Sequence, residues 1–376
     1  MINADSVVVV DEITTASKDY KIGRLTLNKP KALNALDLEM AGIMLDALRQ
    51  WQARSDIVAV VIDAAGEKAF CAGGDIVSMY NSMVEAHGEI PAFLETFFET
   101  EYTLDYTIHN YNKPIIVWGS GIVMGGGMGL LCGASHRVVT ENSRLAMPEI
   151  SIGLYPDVGG SYFLPRLPGK SGLFLGLTGG QMNAADAMYV GLADVMVSSA
   201  EKENLLQGLV DYAWNETSSS TLAEAVNTVL SRLQKPETEV QSNIEPNMPL
   251  INELCSANNV SEVVNAILTA DMQGDKWLSR AQSTLAKGSP ITMHLVFEQC
   301  KKGATMSLAD CFRMEADMSC RCGESGEFQE GVRALLIDKD MTPQWKFKKV
   351  EDVPEAEIAH FFTSPWSKEA HPLAAL

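Results

Sequence analysis

Positive charge is what this 376-residue chain is short of: 29 lysines and arginines stand against 48 aspartates and glutamates, a formal net charge of −19. So acidic a protein excludes nucleic acid and anionic membrane surfaces as partners, because both repel it. An anionic small molecule is admitted only where lysines, arginines or helix N-termini gather locally. Histidine is scarce too, with six residues and no H-x-x-x-H or H-E-x-x-H spacing, so no metal site is expected. The seven cysteines lie scattered at 71, 132, 255, 300, 311, 320 and 322, and the one close pair, C-x-C, is not a zinc spacing. An odd, dispersed set reads as reduced thiols of a cytosolic or organellar compartment. The opening "MINADSVVVVDEITTASKDYKIGRLTLN" lacks the basic flank and cleavage site of a secretory signal and the arginine richness of a transit peptide. A cytoplasmic location is therefore expected.

Long apolar runs are missing as well, with one exception. Residues 114–135, "PIIVWGSGIVMGGGMGLLCGAS", are uncharged and include G-x-x-x-G, but their seven glycines would leave backbone groups exposed to lipid. The segment reads as a buried strand feeding a glycine turn. G-x-G-x-x-G is not properly matched anywhere and G-x-x-x-x-G-K-[ST] is absent, which removes the dinucleotide fingerprint and the phosphate-loop NTPases.

What is present is an α/β pattern. "VVVV" (7–10) and "IGRLTLN" (22–28) read as strands, and "LDLEMAGIMLDALRQWQ" (36–52) as an amphipathic helix with Asp37 as N-cap. "IVAVVIDAAG" (57–66) is apolar throughout, as in a strand covered on both faces. A helical stretch follows from about 76 to 110, then a buried strand at 114–118. A helix starts within "GGGMGLLCGAS", and the strand "HRVVT" comes after it. From about residue 200 the pattern turns helical, with 235–250 as a polar, proline-bearing linker and four amphipathic helices beyond it. The domain reading is a core over 1–200 and a mainly helical region over 201–376.

Three glycine-bearing elements offer backbone N–H groups: "FCAGGDI" (70–76), "GIVMGGGMGLL" (121–131) and "YPDVGGSYF" (155–163). Without a Cβ, glycine lets an amide come close to a ligand atom, and two such amides aimed at one point make an oxyanion hole. Two acids, Glu149 and Asp157, stand eight positions apart in the apolar segment "AMPEISIGLYPDVGGSYFLPRL" with no cation between them. Taken singly, each glycine cluster is a turn, Glu149 a cap or surface acid, and Asp157 a turn former. Cys71 and Cys132 border two of the turns, without a histidine partner in the sequence. Asp75 reads as a structural acid.

Taken in order, "LNKPKALNAL" (27–36), "FCAGGDI", "GIVMGGGMGLL", "MPEISIGLYPDVGG" and "TGGQMNAADAMYVGLADVMV" (178–197) resemble the crotonase (enoyl-CoA hydratase/isomerase) superfamily over at least residues 7–200. The resemblance implies a spiral of ββα units with a helical C-terminal region, and an acyl-CoA whose thioester carbonyl meets two backbone amides. Those amides fall at Gly74 and Gly126, the second opening a helix whose dipole adds to the field. Hydratases of the family carry a glutamate three residues after the second glycine and another about twenty further on. Here the first position is Gly129 and the second Glu149.

An acid lost at Gly129 and gained at Asp157 resembles the 3-hydroxyisobutyryl-CoA hydrolase branch. "SLADCFRMEADMS" and "FQEGVRALLIDKDMTPQWKF" (328–347) are similar to that branch's C-terminal part. The resemblance implies hydrolysis of 3-hydroxyisobutyryl-CoA, or a similar short 3-hydroxyacyl-CoA, in valine breakdown. On that resemblance Glu149 is expected to act as nucleophile or general base, with Asp157 orienting it or water or moving a proton to the thiolate. The resemblance also implies that Glu101, in "FFETEY" (97–102), lies near the substrate, although acidic helices of this kind are often solvated faces. Coenzyme A is part of the substrate, and no separate cofactor is implied. Lys29 and Lys31 are candidates for its phosphates by position alone. The family also implies a homo-oligomer, a trimer or a hexamer. Two other readings stand beside hydrolysis: an enoyl-CoA hydratase or isomerase with altered acids, and a non-catalytic acyl-CoA-binding protein on the same fold.

Overall fold

A computed structural model describes residues 6–214 and 218–376. The chain opens with an antiparallel hairpin of β1 (Val8–Thr14) and β2 (Lys21–Leu27). β1 runs four residues past its apolar start because it is an edge strand: β2 satisfies one side, and only Val8 is buried. α1 (Leu38–Gln52) starts at Asp37, whose carboxylate accepts the Met40 N–H at 2.8 Å, the cap expected from sequence. β3 (Ile57–Ala64) lies parallel to β2 with every residue buried.

β4 (Ala69–Cys71) is followed by α2 (Ile76–Ala86) and α3 (Ala92–His109). The single helical stretch expected over 76–110 is thus two helices. His87 and Gly88 turn left-handed at φ 51° and 91°, and Pro91 cannot continue the hydrogen-bond ladder. Asp75 caps α2 by accepting the Ser78 N–H, the structural role its position suggested. Next come β5 (Ile115–Gly119), β6 (Ile122–Met124), α4 (Gly126–Gly133), β7 (His136–Thr140), β8 (Arg144–Ala146) and, after several short helices, β9 (Val195–Val197). The glycine-rich segment 114–135 is therefore strand, turn, strand and a two-turn helix. No helix among the described residues is long and apolar enough to cross a membrane.

The strands form two sheets, one of six in the order β1-β2-β3-β5-β7-β9 and one of three in the order β4-β6-β8. Each of the pairs β3–β4, β5–β6 and β7–β8 sends its first strand to the large sheet and its second to the small one, and a helical element follows. That repeat is the ββα spiral. One face of the large sheet packs Val58, Ile116 and Val138 against Leu205, Leu209 and Val226 from the helices Lys202–Asp211 and Ser219–Leu230. Each such side chain stabilises the fold by about 2 kcal/mol relative to leaving it in water.

Two compact units are present, and they interleave along the chain instead of dividing at residue 200. One comprises the segments up to Gly74, Leu104–Leu145 and Met182–Ser242; the other comprises Asp75–Thr103, Ala146–Gln181 and Asn243–Leu376. The cause is the spiral: each turn leaves the sheets at a glycine or loop and returns to them a helix or two later. After Val197 every described regular element is helical, but the helices between 202 and 230 belong to the unit with the large sheet. The linker expected at 235–250 is shorter too. Ile244–Leu254 is a helix that tolerates Pro249 inside it, leaving only 235–243 irregular.

Candidate active site

In the unit carrying the large sheet, the two glycine turns lie side by side. β4 and β6 pair in parallel, Ala69 with Ile122 and Cys71 with Val123, so both strands deliver their following turns at the same end. A Cβ built on Gly73 would meet the Met124 carbonyl at 3.7 Å and Gly125 Cα at 4.0 Å. One on Gly127 would stand 2.5 Å from the Cys71 carbonyl oxygen and 2.9 Å from Cys71 Cβ, so only glycine fits where α4 crosses the end of β4. Gly74 sits in a parallel bridge with Leu36. Gly126 is the first residue of α4, where an N–H has no carbonyl one turn back to bind. Gly129 is buried in the same helix. Lys29 forms an ion pair with Asp37 at 2.6 Å, so its ammonium is engaged at the start of α1, while Lys31 is exposed.

The second unit carries the acids. Glu149 opens a 3-10 turn, Glu149–Ile152, which Gly153 closes at φ 70°. A side chain at Gly153 would collide with the Glu327 carbonyl, so the helix Glu327–Val332 presses directly on this turn. The Ser289 N–H, at the head of the helix Pro290–Gly303, donates to the Ile150 carbonyl at 3.2 Å. The C-terminal half of the sequence thereby fixes where Glu149 stands.

Asp157 is held by the next loop. Val158 adopts φ 50° and Gly159 φ 90°. A β-branched residue in that region is strained and persists only where its surroundings impose it. The restraints are explicit. Glu315, on the helix Leu308–Ser325, accepts the N–H groups of Gly159 and Ser161 at 2.8 Å each, and Gln299 Nε2 donates to the Pro156 carbonyl at 2.8 Å.

Glu101 is not on a solvated face: it is 2% exposed, against 4% for Glu149 and 5% for Asp157. One carboxyl oxygen of Glu101 and Glu149 Oε2 are buried with no hydrogen-bond partner among the described residues. Burial raises the pKa of Glu149 well above the usual carboxylate range, and the charges of Asp157 and Glu101 add to that rise. Glu101 is raised by burial first, then by Asp157 and Glu315. Asp157 is pushed up to about 6 by burial, opposed by hydrogen bonds from Tyr102 and its own backbone. Glu315 is pushed up to about 8 by burial while its two amide donors pull the other way. Burial and mutual repulsion raise these carboxyls together, a setting in which an acid can keep a proton for chemistry.

Sequence reasoning missed four participants. Tyr102 donates to Asp157 Oδ2 at 2.8 Å, Ser319 lies 2.7 Å from the Tyr102 hydroxyl, and Tyr155 lies 2.8 Å from Ser319. Tyr155 also donates to the Glu315 carbonyl at 2.7 Å. Every one of them sits in a motif already singled out: Tyr102 follows Glu101, Tyr155 stands in "GLYPDVGG", and Glu315 and Ser319 in "SLADCFRMEADMS". The cysteines contribute no disulfide, and burial pushes the Cys132 thiol up to about 12, away from nucleophilic use.

A ββα spiral with paired glycine turns and a buried acid cluster defines a crotonase-type α/β protein. The chain belongs to the enoyl-CoA hydratase/isomerase family, whose model matches residues 22–362. It is 41% identical to the mitochondrial 3-hydroxyisobutyryl-CoA hydrolase of Danio rerio over 344 residues, 92% of this chain and 87% of that one. To the human protein of the same name it is 35% identical over 347 residues, again 92% and 87% of the two chains. Among solved structures, an enoyl-CoA hydratase from Rhodobacter sphaeroides 2.4.1 superposes with a TM-score of 0.82 at 32% identity, covering 96% of this chain and 98% of that one. A carnitinyl-CoA dehydratase from Mycobacterium thermoresistibile gives the same TM-score and identity over 96% and 97%. The chain is thus an enzyme of the crotonase hydratase and hydrolase superfamily.

Proposed function

We propose that this enzyme hydrolyses the thioester of 3-hydroxyisobutyryl-CoA, or of a similar short 3-hydroxyacyl-CoA, to the free acid and CoA. The observation that carries the reading is the Glu149 carboxyl: buried, one oxygen without a partner, and grouped with Asp157, while the other acid position of a hydratase is Gly129. Hydration needs two carboxyls placed to add water across a double bond, whereas thioester cleavage needs a nucleophile or base and a proton for the leaving thiolate.

In the proposed sequence a Glu149 oxygen attacks the thioester carbon, and the carbonyl π electrons move onto oxygen, where the amides of Gly74 and Gly126 accept the charge. Collapse breaks the C–S bond, leaves an acyl-glutamate anhydride, and expels thiolate, which takes a proton from Asp157. Water then attacks the Glu149 carboxyl carbon of the anhydride, so its oxygen stays on the restored Glu149 while the free acid leaves with the former Glu149 oxygen, and the water proton returns to Asp157. Glu101 hydrogen-bonds the 3-hydroxyl and so discriminates against substrates without one. The names and identities of the two hydrolases above support this choice of substrate.

The test is a panel of short acyl-CoAs followed by free-thiol detection, with crotonyl-CoA hydration measured beside it. Thiol release that is fastest with a 3-hydroxyacyl ester, without hydration, is expected. Faster hydration than thiol release would make the protein a hydratase, and no turnover with any ester would make it a binding protein. Oxygen-18 from solvent should enter Glu149 during turnover; an unlabelled Glu149 would assign it to general-base activation of water.

A further inference from the structure

Three hydroxyls and one carbonyl behind Asp157 make a chain whose hydrogens can be counted. Its four contacts run from Asp157 Oδ2 to Tyr102 at 2.8 Å, Tyr102 to Ser319 at 2.7 Å, Ser319 to Tyr155 at 2.8 Å, and Tyr155 to the Glu315 carbonyl at 2.7 Å. All are hydrogen-bond distances, and each needs one hydrogen between its oxygens. A hydroxyl carries one hydrogen and a carbonyl none, so the chain's own side chains supply three. With Asp157 ionised, one of the four contacts sets two oxygens face to face with no hydrogen between them. With Asp157 neutral, its own O–H provides the fourth, and every contact is made, all pointing from Asp157 towards the Glu315 carbonyl.

We propose that Tyr102, Ser319 and Tyr155 form a directional hydroxyl relay that tunes the Asp157 proton, with Tyr102 donating to the carboxylate and Ser319 and Tyr155 drawing that donation away. The relay also serves the ionised state. When the Asp157 proton leaves for the thiolate, the Tyr102 O–H turns from Ser319 to the new carboxylate and Ser319 turns back to Tyr102. The missing hydrogen then falls at the Ser319–Tyr155 contact, away from the charge. Tyr102 is therefore an acceptor before proton transfer and a charge-assisted donor after it. These three are positioning residues that set how readily Asp157 gives up its proton. Burial raises both Asp157 and Glu149, and the charge of Asp157 raises Glu149 further.

The titratable groups facing Asp157 are Glu101 and Tyr102 from α3, Glu149 from the 3-10 turn, Tyr155 from its own loop, and Glu315 and Cys322 from the helix Leu308–Ser325. Gln299, on the helix Pro290–Gly303, is neutral and donates to the adjacent Pro156 carbonyl. All that can charge on this list become anions, so they favour a neutral Asp157.

The counting gives opposite signs for different deletions. Tyr155→Phe leaves two contacts and two hydrogens, and Ser319→Ala does the same, so in both variants an ionised Asp157 is fully satisfied. Tyr102→Phe removes the only hydroxyl that donates to the carboxylate. Asp157 should therefore titrate lower in Tyr155→Phe and Ser319→Ala and higher in Tyr102→Phe, by about 1–2 pH units, the range of one hydrogen bond to a charged group.

The inference rests on the hydrolase reading only for what Asp157's proton does in turnover. Its test is therefore a titration of the resting protein: the infrared carboxyl stretch of Asp157, identified by its absence in Asp157→Asn, followed with pH in each variant. Opposite shifts support the relay. Shifts of one sign in all three variants, or none, overturn it, because loosened packing would move all three alike. Failure of the unaltered protein to release thiol from any acyl-CoA would overturn the hydrolase reading and leave this titration result standing.

Discussion

Gly127→Ala tests the proposed oxyanion hole without touching an acid or either proposed amide donor. The new Cβ would sit 2.5 Å from the Cys71 carbonyl oxygen, where ordinary contact begins at 3.4 Å. The obstacle is backbone, at the end of β4, so no side chain can swing away. Accommodating the methyl group parts α4 from β4 by about 0.9 Å. That is the spacing between the turns that carry Gly74 and Gly126. Overpacking of this kind costs about 1–3 kcal/mol, which a domain of ordinary stability survives. Misplacing a donor by about 1 Å costs roughly 100-fold in rate. The expected result is a melting temperature lowered by a few degrees, intact circular dichroism, and kcat for thiol release down about 100-fold with KM little changed. A variant that folds and keeps kcat within about three-fold would refute the assignment of these turns as the oxyanion site.

Three further outcomes follow from other parts of the molecule. Asp157→Asn should abolish turnover and stabilise the protein at alkaline pH. A carboxyl raised to about 6 keeps its proton in the folded state after the unfolded chain has lost it, so stability falls as pH climbs from 3.8 towards 6. The gain, roughly 2–3 kcal/mol above that window and none below it, is readable by urea unfolding at the two extremes. Asp63→Ala should destabilise by about 3–5 kcal/mol, because the buried carboxylate binds Arg24 at 2.7 Å, Lys202 at 2.8 Å and the Thr26 hydroxyl at 2.7 Å, and its loss strands both cations. Glu101→Gln should lower kcat/KM for 3-hydroxyacyl esters about 10-fold or more while leaving the unhydroxylated ester nearly unchanged, as a two-substrate comparison would detect.

Much of this was legible before any coordinates. The apolar run at 57–64 reads as a doubly covered strand, Asp37 as a cap and Asp75 as a structural acid, and the spacing of the glycine turns carries the family resemblance. Glu149, Asp157 and Glu101 came from that resemblance, and all three are buried acids within one unit, two of them bearing a partnerless oxygen. The hydroxyl chain could not be read, because Tyr102 and Ser319 meet across 217 residues and hydroxyls leave no periodic signature. The interleaving of the two units was hidden for the same reason: a division at residue 200 follows composition, whereas compactness follows contacts between distant segments. The break between α2 and α3 was visible in Gly88 and Pro91, but the helical periodicity on both sides masked it.

The central claim is that Glu149 carries thioester cleavage, and Glu149→Gln measures it most directly. Gln keeps the size of the side chain and removes the charge that attacks the carbonyl or activates water. With 3-hydroxyisobutyryl-CoA as substrate, thiol release should fall by about 1,000-fold or more while the ester still binds in calorimetry. Hydrolysis within a few-fold of the parent enzyme would contradict the account.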